Sequence, residues 1–361
     1  MNYQHRITFL RNHLQPKQAI LFSDPTNIFY ITGFKSLVNS NKEAYVYLNH
    51  KEVLLFHSSF TPLPKTNHFT CVKGPFISTI VNYIRNNESI SDKSILINEK
   101  SLTVNENNQL QKKLSVVIQP LPDNLLWDLR TIKGATEQKI IEKAGKISRK
   151  AFEFIVDKIK EQMTEKELSD LLEYQLKKLG AEGVAFPTIV AFGSNGALPH
   201  HQPSEKRLEK NSAILIDFGA KVDGYCSDMT RSFWFGDKPT EEYIKVKKIV
   251  DDAYEEGLKF IKDKVLGTNK PPLTALAIDY QVRSFISKNN YSRYYIHTSG
   301  HGLGLNIHEP PSISWKNDRE IKTGMTITLE PGIYLPNKFG YRYENTLIFQ
   351  KDQVVEATKK C

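Results

Sequence analysis

The sequence predicts an α+β chain of two domains, a small α/β unit over residues 1–126 and a larger α+β unit over residues 127–361. Three observations predict it. Apolar runs of strand length alternate with helical patterns through the first part of the chain. Pro120-Leu-Pro122 then interrupts it, and proline breaks helix and strand pairing alike. Beyond that point long helical patterns give way to a strand-rich C-terminal end.

In order, an amphipathic helix is expected first, then the strand Ala19-Ile-Leu-Phe-Ser-Asp24, which ends in a turn signal. Glu43-Ala-Tyr-Val-Tyr-Leu48 and Glu52-Val-Leu-Leu-Phe56 read as a strand pair joined across Asn49-His-Lys51. Thr79–Ile84 reads as helix and Ser94–Ile97 as strand. After the prolines a helix is expected from an N-cap at Thr136 to Ile155 or beyond. Thr164-Glu-Lys-Glu167 is a capping box opening a helix that runs to Gly180. Helices are also expected near 240–264 and 273–288.

Bulk properties narrow the function classes. With 361 residues the chain is long enough for two cores. No apolar run approaches the roughly 18 residues of a membrane span, and the N-terminus lacks a signal-peptide layout, so no membrane partner is expected. Three cysteines, Cys71, Cys226 and Cys361, are too few and too scattered for a disulfide framework, which points to a reducing cytoplasm. The net charge of +9 is spread along the chain with acids beside the lysines, as in Glu241-Glu-Tyr-Ile-Lys-Val-Lys-Lys248. Without a dense basic block or interleaved aromatics, a nucleic-acid partner is not expected.

Five residues stand in contexts suited to metal ligation: Asp217, Asp228, His301, Glu330 and Glu344. A single acid in a hairpin is most often a solvated surface residue. Asp217, however, follows Ala-Ile-Leu-Ile and Glu330 follows Met-Thr-Ile-Thr-Leu, and an acid at the end of a buried strand is costly unless paired or metal-bound. Asp217 and Asp228 flank a turn-rich segment, and their odd separation places both on one face of a hairpin with a two-residue turn. Glu330 and Glu344 have an even separation, which shares a face if the loop is odd in length. Two such hairpins facing one another, with His301 from a third strand or its adjoining loop and flanked by glycines, would hold two divalent cations and support metal-assisted hydrolysis.

The segments Ile216-Asp-Phe-Gly219, Cys226-Ser-Asp-Met-Thr-Arg231, His297-Thr-Ser-Gly-His-Gly-Leu-Gly304, His308-Glu-Pro310, Leu329-Glu-Pro-Gly-Ile-Tyr334 and Gly340-Tyr-Arg-Tyr-Glu-Asn345 resemble, in order, the motifs of the pita-bread metallopeptidase family. The resemblance covers residues 127–361 well. It reaches more weakly into residues 1–126, where Asp24-Pro-Thr-Asn-Ile-Phe-Tyr-Ile-Thr-Gly33-Phe looks like the creatinase-type N-terminal domain of the proline-specific branch. It implies a pita-bread catalytic domain in which Asp217 binds one metal, Asp228 and Glu344 bridge both, and His301 and Glu330 bind the second. Oxygen-rich donors with one imidazole suit Mn²⁺ first, with Co²⁺ or Zn²⁺ also acceptable. The resemblance further implies a bridging water as nucleophile, Glu330 as proton carrier, and His308 as the group that stabilises the oxyanion. His200, in the loop Gly193-Ser-Asn-Gly-Ala-Leu-Pro-His200-His, would contact substrate or assist proton movement; its plain alternative is a surface loop residue.

Three further residues are candidates around this set. His201 reads as a rim residue beside the substrate, and His297 as a core histidine or one that orients a ligand. Arg342, two residues before Glu344 and so on its face, either orients that carboxylate or forms a plain salt bridge. The loop Ala197-Leu-Pro-His-His-Gln-Pro203 and the N-terminal domain resemble the branch acting on proline-containing peptides. Xaa-Pro aminopeptidase activity is the first expectation and Xaa-Pro dipeptidase (prolidase) activity the alternative. A methionine aminopeptidase fits less well because a full domain precedes the catalytic one, and a silent peptide-binding relative because all five ligand positions are kept. Family analogy implies a homodimer.

Overall fold

The computed structural model describes residues 1–37, 42–65, 68–87, 94–266 and 271–359. Contacts divide the chain into two compact units, Met1–Leu129 and Arg130–Cys361.

The first unit runs α1 (Tyr3–Asn12), β1 (Gln18–Phe22), α2 (Pro25–Thr32), β2 (Ala44–Leu48), β3 (Val53–His57), β4 (Thr70–Lys73), α3 (Ile77–Asn86), β5 (Ser94–Ile97), α4 (Val104–Leu114) and β6 (Val117–Pro120), followed by α5 (Asp123–Thr131). Its six-stranded sheet has the order β4-β3-β2-β1-β5-β6, with β2 antiparallel to both neighbours and the other pairs parallel. Ala19, Leu21, Tyr45, Tyr47, Leu54 and Phe56 pack on α3 and α4. The alternate residues Ile20, Phe22, Val46 and Leu55 are buried as well. A sheet covered on both faces explains why these strands read as continuous apolar runs. The turn signal after β1 proves to be the start of a helix. Asp24 caps α2 by accepting from Asn27 N at 2.8 Å, Pro25 takes the first turn, and Gly33 ends the helix at φ +76°. Pro120 does not end the unit. It lies on edge strand β6, where a missing N–H costs nothing, and the division falls at residues 129/130, within α5.

The second unit continues with α6 (Ala135–Val156), α7 (Glu165–Lys178), β7 (Gly183–Val184), β8 (Ile189–Phe192), a 3-10 turn (Gly193–Ala197), β9 (Ser212–Phe218), β10 (Ala220–Val222), β11 (Tyr225–Cys226), β12 (Met229–Phe235), α8 (Glu241–Leu266) and α9 (Ala275–Lys288). It closes with β13 (Gly300–Gly302), β14 (Glu309–Ile313), β15 (Thr326–Leu329), β16 (Gly332–Leu335), β17 (Phe339–Arg342), β18 (Asn345–Phe349) and β19 (Val354–Glu356). The N-cap of α6 is Gly134 rather than Thr136, because Glu137 at the third helical position reaches back to accept Gly134 N at 2.9 Å. The capping box at Thr164 is formed, with Thr164 Oγ1 accepting from Glu167 N and Glu167 Oε2 accepting from Thr164 N.

Two helix pairs cover two halves of the β structure. Ile214, Ile216 and Phe218 of β9 pack on α6 and α7, and Ile327, Leu329 and Leu347 of β15 and β18 pack on α8 and α9. Strand alternation then turns Leu215 and Asp217 on one half, and Thr328, Glu330, Glu344 and Thr346 on the other, to the face without helices. That uncovered face carries the candidate site. Cys226 is buried in β11 and Cys71 is exposed, while Cys361 lies outside the described residues. Among the described residues no helix is long and apolar enough to cross a membrane.

Candidate active site

Two long hairpins present the four acids. In the first, β9 pairs with β12 (Asp217↔Thr230) and β10 with β11 (Lys221↔Cys226) in one continuous register, closed by a two-residue turn at Asp223 (φ +46°) and Gly224 (φ +84°). Glycine and aspartate are residues that tolerate such a turn. Extending that register sets Asp228 opposite Gly219, two residues from Asp217 and so on its face. In the second hairpin, β15–β18 and β16–β17 also share one register (Leu329↔Asn345, Gly332↔Arg342) around the three-residue loop 336–338. Glu330 and Glu344 fall at opposed positions, where the hairpin breaks between its two halves. There the backbone bonds leave the hairpin: Glu330 N donates to Ser299 O and Glu344 N to Thr230 O. The carboxylates therefore sit at strand interruptions, which pull in a third strand and knit the two hairpins together.

His301 comes from β13. Its Nδ1 lies 3.0 Å from Gly302 O, which makes Nδ1 the protonated nitrogen and leaves the Nε2 lone pair free. That Nε2 is 3.5 Å from both Asp228 Oδ2 and Glu330 Oε1. One ligating atom each of Asp228, His301 and Glu344 lie within 4.8 Å of one another. Asp217 joins them through Arg342, whose Nη2 donates to Asp217 Oδ2 at 2.6 Å.

The electrostatics fit divalent cations. Burial, reinforced by Glu344, Asp217 and Glu330, pushes the Asp228 carboxyl far above its ordinary range, and burial with Glu330 and Asp217 does the same to Glu344. Glu330 is pushed up to about 7, chiefly by burial, with Arg342 opposing. Four clustered carboxylates cannot all ionise without added positive charge. The buried oxygens Asp217 Oδ1 and Asp228 Oδ1 also lack any hydrogen-bond partner, an expensive state that a cation relieves. Donor set, charge and orphaned acceptors thus agree with a divalent metal site.

A cavity of about 950 Å³ opens on this cluster, and every residue singled out in the sequence lines it: Asp217, Asp228, His301, Glu330, Glu344, His200, His201, His297, His308 and Arg342. His308 stacks edge-on against His301 with ring centroids 4.4 Å apart, and burial followed by His301 lowers its pKa. His297 is wedged between Thr298 O (2.7 Å from Nδ1) and the Tyr334 hydroxyl (2.8 Å from Nε2), and burial and Arg342 push its pKa down to about 3, so it stays neutral.

Two expectations change. Arg342 shares a face with Glu344 but does not bind it. It reaches Asp217, and touches Glu344 only through Thr230, whose hydroxyl accepts from Arg342 Nε at 2.9 Å and donates to Glu344 Oε2 at 2.6 Å. Nor is His201 a free rim residue: its Nε2 lies 2.8 Å from Oε2 of the buried Glu165. Thr230, Tyr334 and Thr346 were not singled out in the sequence. Thr230 stands two residues from Asp228 and Thr346 two from Glu344, so alternation alone marks them. Tyr334 accepts from Arg342 on the paired strand of its own hairpin and donates to His297, which precedes β13, and that second contact carries no local signal.

The chain matches the profile of metallopeptidase family M24 over residues 139–351. This chain belongs to that family. This metallopeptidase is 33% identical over 342 residues to a Xaa-Pro dipeptidase of Pyrococcus furiosus, covering 94% of the chain and 93% of the relative. A Xaa-Pro dipeptidase structure from Bacillus anthracis superposes with a TM-score of 0.88 at 28% identity, covering 100% of this chain and 98% of the other. An X-Pro aminopeptidase structure from Thermotoga maritima gives a TM-score of 0.82 at 31% identity, over 95% and 96% of the two chains. The α+β fold of the M24 metallopeptidase is therefore the pita-bread fold, with the N-terminal unit included in the likeness.

Proposed function

We propose that this metallopeptidase hydrolyses the peptide bond before proline, with Xaa-Pro dipeptides as its first substrates. The observation that carries the reading is likeness along almost the whole chain, at about one third identity, to a protein described as a Xaa-Pro dipeptidase. That order reverses the expectation from the motifs alone, which put aminopeptidase activity first.

In this reading Asp217, Asp228, His301, Glu330 and Glu344 hold two divalent ions, Mn²⁺ first among them. When bound, such ions supply Lewis acidity and lower the pKa of water. Glu330 takes up a proton and returns it to the leaving nitrogen, which must be protonated because an amide anion is too basic to leave. His308, neutral at physiological pH, donates an N–H to the developing oxyanion. His200, Phe186, Pro187 and Ile189 line the same cavity and contact the substrate there. Arg342 and Thr230 fix Asp217 and Glu344, and act only by orienting them.

A second reading, Xaa-Pro aminopeptidase, is favoured by the cavity itself. Its volume of about 950 Å³ exceeds what a dipeptide fills. Among the described residues lining it, Arg342 is the one Lys or Arg, and it is committed to Asp217, Thr230 and Tyr334. Among the described residues lining the cavity, no second Lys or Arg faces the carboxylate that a dipeptide carries beside its proline ring.

The deciding experiment compares Xaa-Pro dipeptides with Xaa-Pro peptides extended by two or more residues, with added Mn²⁺ and with chelator. Faster release of proline from the dipeptide supports the first reading. Preferential cleavage of the longer peptides replaces it with the second, and no cleavage of either with any divalent metal refutes both.

A further inference from the structure

Glu165, the first residue of α7, is a carboxylate with no exposed surface, lies outside the metal cluster, and has no role in the chemistry described above. A buried carboxylate is costly unless its acceptors are filled, and here they are filled by one segment of chain. Oε1 accepts from Phe192 N at 2.8 Å and from Asn195 Nδ2 at 2.9 Å. Oε2 accepts from Ser204 N at 2.9 Å and Ser204 Oγ at 2.6 Å, and lies 2.8 Å from His201 Nε2. These donors begin at residue 192 and end at residue 204, and they bracket the loop that carries His200 over the cavity. Burial alone would raise the Glu165 pKa, yet the Ser204, His201 and Phe192 donors hold it below the usual range, so the group that gathers the loop is an anion.

A second clamp acts on the 3-10 turn. Within the same loop, a Cβ on Gly196 would stand 3.1 Å from Gly340 N, and one on Gly340 would stand 1.8 Å from Gly196 O. The 3-10 turn is thus pressed backbone to backbone on β17. The loop is held at its middle by this contact and at both ends by Glu165. Among the described residues His200 itself makes no hydrogen bond, so its position over the cavity is set by what holds its neighbours.

We propose that Glu165 is a positioning residue of the peptidase: through Phe192, Asn195, His201 and Ser204 it fixes the loop so that His200 meets the substrate. This rests on the reading of the cavity as a proline-peptide site, although the anchoring can be measured without a substrate. The tests are Glu165→Gln, which keeps the shape but loses the anion, and the milder His201→Ala, which removes one donor and leaves α7 intact.

Hydrogen–deuterium exchange should quicken within residues 193–204 and stay unchanged over β9, β12 and β15–β18, with metal content equal to wild type. In steady-state kinetics Glu165→Gln should lose about tenfold or more in kcat/KM, as displacement of a catalytic neighbour by about an ångström does. The double variant Glu165→Gln/His200→Ala should be no slower than His200→Ala alone, because the two residues act as one unit. Losses that multiply would overturn the proposal, as would unchanged exchange in the loop or exchange raised uniformly through the second unit. If wild type cleaves no Xaa-Pro peptide, the functional reading fails, and the exchange measurement alone decides the anchoring.

Discussion

Arg342 Nη2 donates to Asp217 Oδ2 at 2.6 Å, joining residues that stand 125 positions apart and come from different hairpins. The same guanidinium uses Nε on Thr230 and Nη1 on Tyr334. Each acid of the cluster is costly to bury, and this planar cation answers part of the cost while leaving Asp217 Oδ1 free. A guanidinium can address three directions in one plane and an ammonium cannot.

Arg342→Lys should therefore keep the charge and lose the geometry. Metal affinity or kcat/KM is expected to fall by about 10–100-fold, measured by metal titration of the dialysed protein and by steady-state kinetics. Wild-type values for both would show that charge alone places Asp217.

Asp228→Asn should abolish activity, a loss of more than about 1000-fold or roughly 4 kcal/mol of transition-state stabilisation. Stability should move the other way. Burial and three neighbouring carboxylates push the Asp228 pKa up, so in the metal-free protein above the unfolded pKa folding works against the ionisation that the unfolded chain prefers, and the carboxyl opposes folding. Metal-free Asp228→Asn should melt at or above the wild-type temperature, and its stabilisation by Mn²⁺ should shrink. Calorimetry with and without metal reads both; a fully active variant would remove Asp228 from the ligand set.

Much of this site is legible in the sequence alone. Parity placed Asp217 with Asp228 and Glu330 with Glu344 because both hairpins keep a single register through their breaks. The apolar runs ahead of Asp217 and Glu330 marked acids at the ends of buried strands. Long-range partners were not legible. Nothing near Arg342 in sequence points to Asp217, and proximity suggested Glu344 instead. In sequence Glu165 is only a first-turn acid inside the Thr164–Glu167 capping box, because the chain that covers it returns only at residues 192–204. In the first unit α2 was hidden for a related reason: its residues are apolar on all sides, buried from Asn27 to Thr32 with one exception, and show no amphipathic stripe.

Glu309 offers a test by pH. It is buried beside Arg130 and Lys133, the latter at 3.2 Å, and also accepts from Asn306 N at 3.0 Å. Burial would raise its pKa, but Lys133 and Arg130 hold it below the usual range. A depressed folded pKa contributes stability that is fully present above the unfolded value of about 4.3 and is lost as pH falls through the folded one. Denaturant unfolding should accordingly weaken from pH 5 downward, and Glu309→Gln should flatten that slope while costing about 3–5 kcal/mol at neutral pH, since two cations are left buried. An equal slope in the variant would refute the assignment of the acid sensitivity to this triad.

Gly340→Ala tests the close approach that seats the 3-10 turn. The added Cβ would stand 1.8 Å from Gly196 O, a backbone atom that cannot swing aside as a side chain does. Either the turn lifts or β17 shifts, and β17 carries Arg342 two residues further on. Overpacking of this kind costs about 1–3 kcal/mol, but the larger effect should be kinetic, because both responses displace residues that line the cavity. Gly183→Ala is the control. Its Cβ meets nothing within 4 Å and its φ is ordinary, so it should stay within about 0.5 kcal/mol of wild type. Gly340→Ala should lose kcat/KM by at least about tenfold, the scale expected for small misplacements near a reacting centre. If it instead matched Gly183→Ala in both melting temperature and kcat/KM, the turn would be free to move without consequence for the site.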